Sequence, residues 1–287
     1  MNIGIWGSGI VGSATGFLLE RGHKVLYYDK YKKDSKFVSD EELVRGCEII
    51  FVCVPAPMGR SGEIDLRYLR DSLSRISSLR KKRKIVVIKS SLVSGITRRM
   101  SELYPEMDFA FNPEFLREKY SKEDMVNAKR VVIGVDKDSV FSILKKMYRK
   151  VFKDIPIIKT TLEEAEAIKY VANVFLAGQV ALANELYNIC KKLKVDYEKV
   201  RRTLVYDNRI GKNIMVPGPD GDFGFGGKCF PKDLNALIYI AREFGYRPYL
   251  LEEMWRLNLK VRKSKDWLEI EGAVSDKKFK GEGKNDK

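Results

Sequence analysis

Asn2-Ile3-Gly4-Ile5-Trp6-Gly7-Ser8-Gly9-Ile10-Val11-Gly12 decides the fold of this chain. The apolar run Ile3-Trp6 reads as a buried strand. Gly7-Ser8-Gly9-Ile10-Val11-Gly12 then fits G-x-G-x-x-G and opens the helical stretch Gly12-Arg21. Strand, glycine turn and helix in that order give the pattern its meaning. Gly7 permits the tight turn, Gly9 lets a pyrophosphate approach the backbone, and Gly12 lets the helix pack on the strand. The unpaired N-H groups of the helix start, with Ser8, Ile10 and Val11 between the glycines, form a ready anion cradle.

The next strand, Lys24-Tyr28, ends at Asp29. A carboxylate there accepts hydrogen bonds from a ribose 2′-hydroxyl, which favours NAD over NADP. Lys30, Lys32 and Lys33 follow it and leave room for a 2′-phosphate. Further apolar runs at Ile49-Val54, Ile85-Ile88, Phe109-Phe111 and Arg130-Val135, with a helical stretch at Leu66-Leu79, continue the alternation. Such alternation predicts an α/β, Rossmann-type doubly wound parallel sheet over residues 1–160. From Thr161 the character changes. Leu162-Lys194 reads as one long helix, Val195-Asn208 continues helically, Gly211-Gly227 is a glycine- and proline-rich loop, and Pro231-Glu243 is a helix closed by Gly245. Residues 161–262 are therefore expected to form a helical domain, and residues 263–287 a basic, disordered tail.

The 287 residues correspond to about two domains at ~150 residues each. The longest apolar run, Ile49-Met58, carries two prolines and is half of the ~20 residues that a membrane span needs. The start at Met1 has no basic lead and soon meets glycines, so no signal peptide is expected, and the setting is cytoplasmic. A net charge of +15 suits anionic partners. The basic clusters (Arg80-Lys84, Lys145-Lys153, Lys191-Lys194, Arg201-Arg202) are dispersed and not interleaved with aromatics, which argues against nucleic acid. His23 is the single histidine, and its place between helix and strand suits a turn residue with a local hydrogen bond. The four cysteines form no C-x-x-C pair, so neither a metal site nor a histidine triad is expected. The chemistry falls to Lys, Asp, Glu, Asn or Cys.

Three segments carry that chemistry. Asn112-Pro113-Glu114-Phe115-Leu116-Arg117-Glu118 follows a strand, at the edge where α/β enzymes place ligands. Lys169 and Asn173, four apart, share a helix face. Gly224-Phe225-Gly226-Gly227-Lys228-Cys229-Phe230-Pro231-Lys232-Asp233 runs from a glycine loop into a helix. Pro231 suits a first helical position, which puts Cys229 just before the helix, where the dipole, Lys228 and Lys232 favour its thiolate. Asp233 is placed to face it, and the glycines let a ligand ring approach. Cys47, Cys53 and Cys190 lie in apolar or helical contexts and read as structural.

The motifs GSGIVG, VPAPMGRSGEIDLRYL, KSSLVSGIT, NPEFLRE, EAIKYVANVFLAGQVALANEL, DNRIG and GFGGKCFPKD, in this order, resemble the UDP-glucose/GDP-mannose dehydrogenases. The resemblance runs from residue 1 to about 260. It implies two successive oxidations of a sugar C6 alcohol to a carboxylate, UDP-glucose to UDP-glucuronate above all, with two NAD⁺ and a cysteine-bound thiohemiacetal and thioester. It implies Cys229 as nucleophile and Lys169 as oxyanion stabiliser. Asn173 would orient the substrate oxygen, and Asp233 would activate water. Glu114 would act through water on hydrolysis, with Ser91 at the position of a family threonine. Val54, Pro55, Ser91 and Glu118 would border the cofactor. Phe115, Leu116, Arg117, Arg209, Phe225 and Gly226 would bind the substrate, Arg209 across a homodimer interface formed by the long helix. The chemistry agrees with the residues: a thiolate divides a four-electron oxidation into easier steps, and Lys plus an amide stabilise oxyanions.

The chain departs from the family at Ser91, Ala56, the proline-free Leu92-Val93-Ser94, Lys228 and the insert Pro219-Asp222. No second alternating α/β pattern follows residue 263, so a short form lacking a nucleotide-binding third domain is expected. Two other readings stand beside it: a single-step β-hydroxyacid-type dehydrogenase built on Lys169 and Asn173, and an NAD-binding protein without turnover.

Overall fold

The computed structural model describes residues 1–32, 34–59 and 61–275. Its elements run β1 (Asn2–Trp6), α1 (Ile10–Leu19), β2 (Lys24–Tyr28), α2 (Asp40–Gly46), β3 (Ile49–Val52), α3 (Arg67–Leu79), β4 (Ile85–Ile88), α4 (Ile96–Leu103), β5 (Asp108–Phe111), α5 (Ser121–Val126), β6 (Val131–Val135), α6 (Asp138–Arg149), β7 (Ile157–Thr160), α7 (Leu162–Lys192), α8 (Tyr197–Leu204), α9 (Cys229–Glu243) and α10 (Tyr249–Val261). Two 3-10 turns, Glu118–Tyr120 and Asp266–Leu268, complete them.

The chain divides into two compact units. The first comprises Met1–Ala56 and Leu66–Lys169, the second Pro57–Asp65 and the residues from Tyr170 on. The division falls within α7.

The first unit is a seven-stranded sheet in the order β2-β1-β3-β4-β5-β6-β7. All pairings are parallel except β5 with β6, where Phe111 faces Gly134 in antiparallel register. The doubly wound parallel sheet expected from the sequence is present, with this one antiparallel pair inside it. A parallel return needs a crossover long enough to run back along the strands. The connection here, residues 112–130, carries a 3-10 turn and the six-residue α5, with no helix long enough to run back along the strands. β7 was not expected from the sequence. It is an edge strand of intermediate and exposed residues, with no continuous buried run to announce it. The core gathers Ile3, Ile5, Ile49, Phe51, Val87, Ala110 and Ile133 from the strands with Leu18, Leu144 and Met147 from the helices.

The second unit is helical. α7 runs 31 residues, about 46 Å at 1.5 Å per residue. Val174, Ala177 and Ala181 of α7 pack with Phe225, Leu234, Ile238 and Met254. α8 is shorter than the Val195-Asn208 expectation, starting after Asp196, whose carboxylate accepts the Glu198 N-H. α9 starts at Cys229 rather than Pro231, because the first-turn N-H groups of a helix are free and a proline at its third position sacrifices none.

The expected tail is corrected for Lys263–Ser275. Trp267 is 3% exposed and lies 5.3 Å from Trp255, and Met58 pairs with Val274 in a parallel bridge. An indole and a short apolar run suffice to extend the core, although the surrounding composition is polar. Residues 276–287, also expected in the tail, lie outside the described residues. Among the described residues no helix is long and apolar enough to cross a membrane.

Candidate active site

In the first unit, strand order reverses at β1, which lies between β2 and β3, so the crevice at the carboxyl ends of β1 and β3 is the ligand position of an open α/β sheet. The glycine loop leaves β1 there. Gly7 has φ +92°, and a Cβ on Gly12 would sit 1.9 Å from the Gly7 carbonyl oxygen. A Cβ on Gly9 would meet no atom within 4 Å, so the backbone is open to a ligand. Gly9 caps α1 without a side-chain hydrogen bond, leaving the first-turn N-H groups, among them those of Ile10 and Val11, for phosphate oxygens. Asp29 Oδ2 accepts the Ser8 amide at 2.8 Å and Oδ1 the Tyr31 amide at 3.0 Å, which fixes the carboxylate at the end of β2 beside the glycine loop. These groups fit a dinucleotide. Lys32 Nζ donates to the Ser8 carbonyl at 2.6 Å, Lys30 reaches Asp71 at 3.4 Å, and Lys33 lies outside the described residues. Val54 and Pro55 follow β3. The Val54 carbonyl accepts the Ser90 hydroxyl at 2.6 Å, Pro55 is exposed, and Ser91 is half-buried.

The segment after β5 is fixed from beneath. Asn112 is buried, accepts Lys89 Nζ (2.8 Å) and the Tyr148 hydroxyl (2.5 Å) on Oδ1, and donates to the Val132 carbonyl (2.7 Å). Lys89 is buried as well, and desolvation pushes its pKa down to about 8. Two residues on, Glu114 Oε1 meets Lys169 Nζ at 2.8 Å, and Oε2 accepts the Leu116 amide at 2.8 Å. The Arg117 amide and guanidinium both go to Asp124. The Leu116 and Arg117 amides, expected to face substrate, are therefore taken within the protein. The Phe115 ring lies 4.2 Å from the Arg130 guanidinium, and Glu118 is exposed in its 3-10 turn. A cavity of about 330 Å³ lies against this segment, lined in part by Leu18, Lys89, Asn112, Glu114 and Tyr148.

One turn before Lys169, Glu166 is fully buried on α7. It accepts the Gly95 and Thr97 amides (2.7 and 2.8 Å) and the Thr97 hydroxyl (2.6 Å), capping α4. Burial without a cation raises its pKa to about 7. Sequence reasoning missed Lys89 and Glu166. Their available signals were a lysine closing an apolar strand and a glutamate three residues before Lys169.

In the second unit, Asn173 Nδ2 donates to Asp233 Oδ2 at 2.5 Å. Asp233 is fully buried, and its other oxygen takes the ammonium of buried Lys232. Lys232, expected to act on the cysteine, is thus committed to Asp233. Cys229, the first residue of α9 rather than the residue before it, is exposed one turn away from Asp233. Phe225 is buried among Phe230 and Trp255, and its amide is taken by Asn258 Oδ1 at 2.7 Å, so its ring serves the core rather than a ligand. Of the loop glycines, a Cβ on Gly224 would strike Asn258 and one on Gly226 would strike Arg262, whereas at Gly227 it would meet open space. Arg209 is exposed and bonded to Asp207. Burial pushes the Cys47 and Cys53 thiols up to about 11 and 12, as suits structural cysteines. His23 hydrogen-bonds the Met147 carbonyl at 3.0 Å, a long-range partner instead of the local one expected.

The NAD binding domain of the UDP-glucose/GDP-mannose dehydrogenase family matches residues 31–152, and its central domain matches residues 163–260. The chain belongs to this family. The UDP-glucose 6-dehydrogenase TuaD of Bacillus subtilis is 37% identical over 76% of the chain, which spans 48% of that relative. A UDP-glucose 6-dehydrogenase of Rickettsia bellii is 34% identical over 90% of the chain, which spans 67% of it. The solved UDP-glucose dehydrogenase of Pyrobaculum islandicum superposes with a TM-score of 0.80 at 30% identity, covering 90% of this chain and 68% of that one. The chain thus spans about half to two thirds of these relatives. As in the family's NAD binding domain, the cofactor is NAD, and the residues of the loop, Asp29 and the free start of α1 are those that would hold it.

Proposed function

We propose that this family member oxidises the C6 alcohol of a nucleotide sugar, UDP-glucose first among them, to a carboxylate in the cytoplasm. NAD⁺ supplies the hydride acceptor, once for each of two oxidations. Everything else falls to side chains. In the first oxidation the alcohol gives up its proton and hydride to become an aldehyde. The Cys229 thiolate then forms an S–C bond to that carbonyl carbon, and the oxygen takes a proton as the thiohemiacetal. Loss of that proton and the second hydride leaves a thioester. Water attacks it, the C–S bond breaks, and the thiolate and carboxylate are released. Lys169 and Asn173, one turn apart on α7, stabilise and orient the oxygen at C6, and Asp233 shares the proton traffic. Glu114 holds the hydrolytic water with Ser91 near it.

The reading is carried by one observation: an exposed cysteine at the first residue of α9, with the buried Asn173–Asp233 hydrogen bond one turn on. A histidine-free, thiol-bearing arrangement suits a covalent two-step oxidation better than a single hydride transfer, which needs no thiol. Arg209 and the backbone of Gly226 and Phe115 are assigned to the substrate. A second copy of the chain covers the stripe Phe175, Leu182, Leu186 and Ile189 along α7, with Leu193 just past its end, all of them exposed. Purified protein incubated with NAD⁺ and a panel of UDP- and GDP-sugars is expected to yield two NADH per UDP-glucose consumed. One NADH per sugar points to the single-step chemistry, and none with any sugar overturns the proposal.

A further inference from the structure

The loop that delivers Cys229 is improbable as an ordered object. Five of the ten residues 218–227 are glycine, and fixing each residue costs about 1–2 kcal/mol of backbone entropy. It is nevertheless held by side chains at Asp220, at Asp222–Phe225 and at Gly227. Gly224 donates its amide to Asn184 Oδ1 (3.0 Å), and Asn258 takes the Phe225 amide and donates to its carbonyl (2.7 and 2.9 Å). The last hold, nearest the cysteine, comes from beyond residue 260, where the family match ends. Gly227 donates its amide to Asp266 Oδ2 at 2.8 Å. Asp266 Oδ1 takes the Arg262 guanidinium at 3.1 Å, and the same guanidinium reaches Asp220 at 2.8 Å and the Phe223 carbonyl at 3.3 Å.

We infer that Arg262 and Asp266 are positioning residues for Cys229, clamping its loop from the segment that follows α10. The inference rests on the reading of Cys229 as nucleophile. Arg262 is 6% exposed, and the space it fills is open only because residue 226 is glycine: a Cβ there would lie 2.1 Å from Nη2. Asp266 is fixed in turn by its neighbour Trp267, buried against Trp255, and the Lys263 and Ser264 amides donate to Asp222 (3.3 and 2.9 Å). The insert Pro219–Asp222 and the segment 262–267 therefore form one device. Each supplies the partners of the other. An attack on a carbonyl and the later release of a thioester both need the thiolate within a few tenths of an ångström of its place. A two-residue lever from Gly227 to Cys229 transmits the clamp.

The test compares Asp266→Ala and Asp266→Asn in the full chain. The rate at which iodoacetamide modifies Cys229 is followed by peptide mass spectrometry across pH, beside melting temperature, kcat and KM for sugar oxidation. Loss of the amide partner frees Gly227 and with it the placement of Cys229 at the start of α9, where the free N-H groups favour a thiolate. For Asp266→Ala the alkylation midpoint therefore moves to higher pH and the rate at pH 7 falls about threefold, with kcat down about tenfold or more and KM within twofold. Asn keeps an acceptor for Gly227, so Asp266→Asn stays within twofold of the parent on both readouts. Where Asp266→Ala fails to fold, Arg262→Lys, too short to bridge Asp220 and Asp266, replaces it with the same expectation. An unchanged alkylation profile and kcat in the disrupted variant overturns the clamp, as does an Asn variant as impaired as the Ala variant. Absence of turnover in the parent defeats the nucleophile reading alone, since alkylation reports on the loop without turnover.

Discussion

Lys169 Nζ lies 2.8 Å from Glu114 Oε1, with both side chains buried. The pair joins two motifs 55 residues apart in sequence. Lys169 thus carries its own counter-ion in Glu114. Glu114→Gln removes the charge and leaves a buried lysine uncompensated, a change of the kind that costs about 3–5 kcal/mol. On the proposed chemistry it slows acid release by about 10²- to 10⁴-fold. An acyl adduct on Cys229, seen as added mass on its peptide after brief incubation with UDP-glucose and NAD⁺, is the expected mark. A Glu114→Gln enzyme that hydrolyses at the parent rate removes Glu114 from the mechanism.

Cys229→Ser is expected to abolish uronic acid while leaving NAD affinity unchanged, because the phosphate loop and the thiol belong to different units. NADH fluorescence titration and product analysis separate the two effects. Acid formation by the serine variant excludes Cys229 as nucleophile.

The glycine loop makes a contrasting pair of predictions. A Cβ at Gly9 meets nothing in the protein, whereas at Gly12 it lies 1.9 Å from the Gly7 oxygen. Gly9→Ala should melt with the parent yet lose at least about tenfold in NAD affinity, by obstructing the pyrophosphate. Gly12→Ala should lose both affinity and stability, since α1 can no longer pack on β1. Equal melting of the two variants contradicts the geometry.

Glu166 gives a pH signature. Its pKa is raised in the folded protein, to about 7 from 4.5. The folded state therefore binds the extra proton, and the stabilisation is complete below about 4.5 and lost as pH rises through 7. Glu166→Gln does not titrate. The stability of the parent relative to this variant should fall between pH 5 and pH 8, on the order of 3 kcal/mol for a shift of this size. Denaturant titrations at both pH values check it, and a constant difference refutes the assignment.

Leu182→Glu, on the exposed α7 stripe, is expected to leave the fold intact and to give a monomer by light scattering, against the dimer expected of the parent. A monomeric parent removes the interface.

Much of this was legible from local pattern. The strand-turn-helix at residues 2–12, the alternation that follows it and the uninterrupted helix from Leu162 announce themselves, because periodicity and glycine placement act within a dozen residues. Cys229 and Asp233 stand out at the glycine-rich helix entry, while the roles of Lys169, Asn173 and Glu114 came from the family resemblance of their motifs. The states of these residues were not legible in either way. That Glu114 neutralises Lys169, that Lys232 is spent on Asp233 instead of attending the cysteine, and that Phe225 turns into the core depend on partners brought in from 55, 1 and 33 residues away, with burial deciding the charge balance.

The sequence by itself determined that this protein is a dinucleotide-binding α/β unit followed by a helical unit with a single thiol at a glycine-rich helix entry. Tertiary structure alone decided the antiparallel turn at β6, the edge strand β7, and the folding of Lys263–Ser275 onto the second unit. The reason is physical. Hydrophobic periodicity reports which face of an element seeks burial, but a polar segment such as 262–267 is recruited by a few specific long-range bonds. Those bonds leave no periodic trace in the chain that makes them.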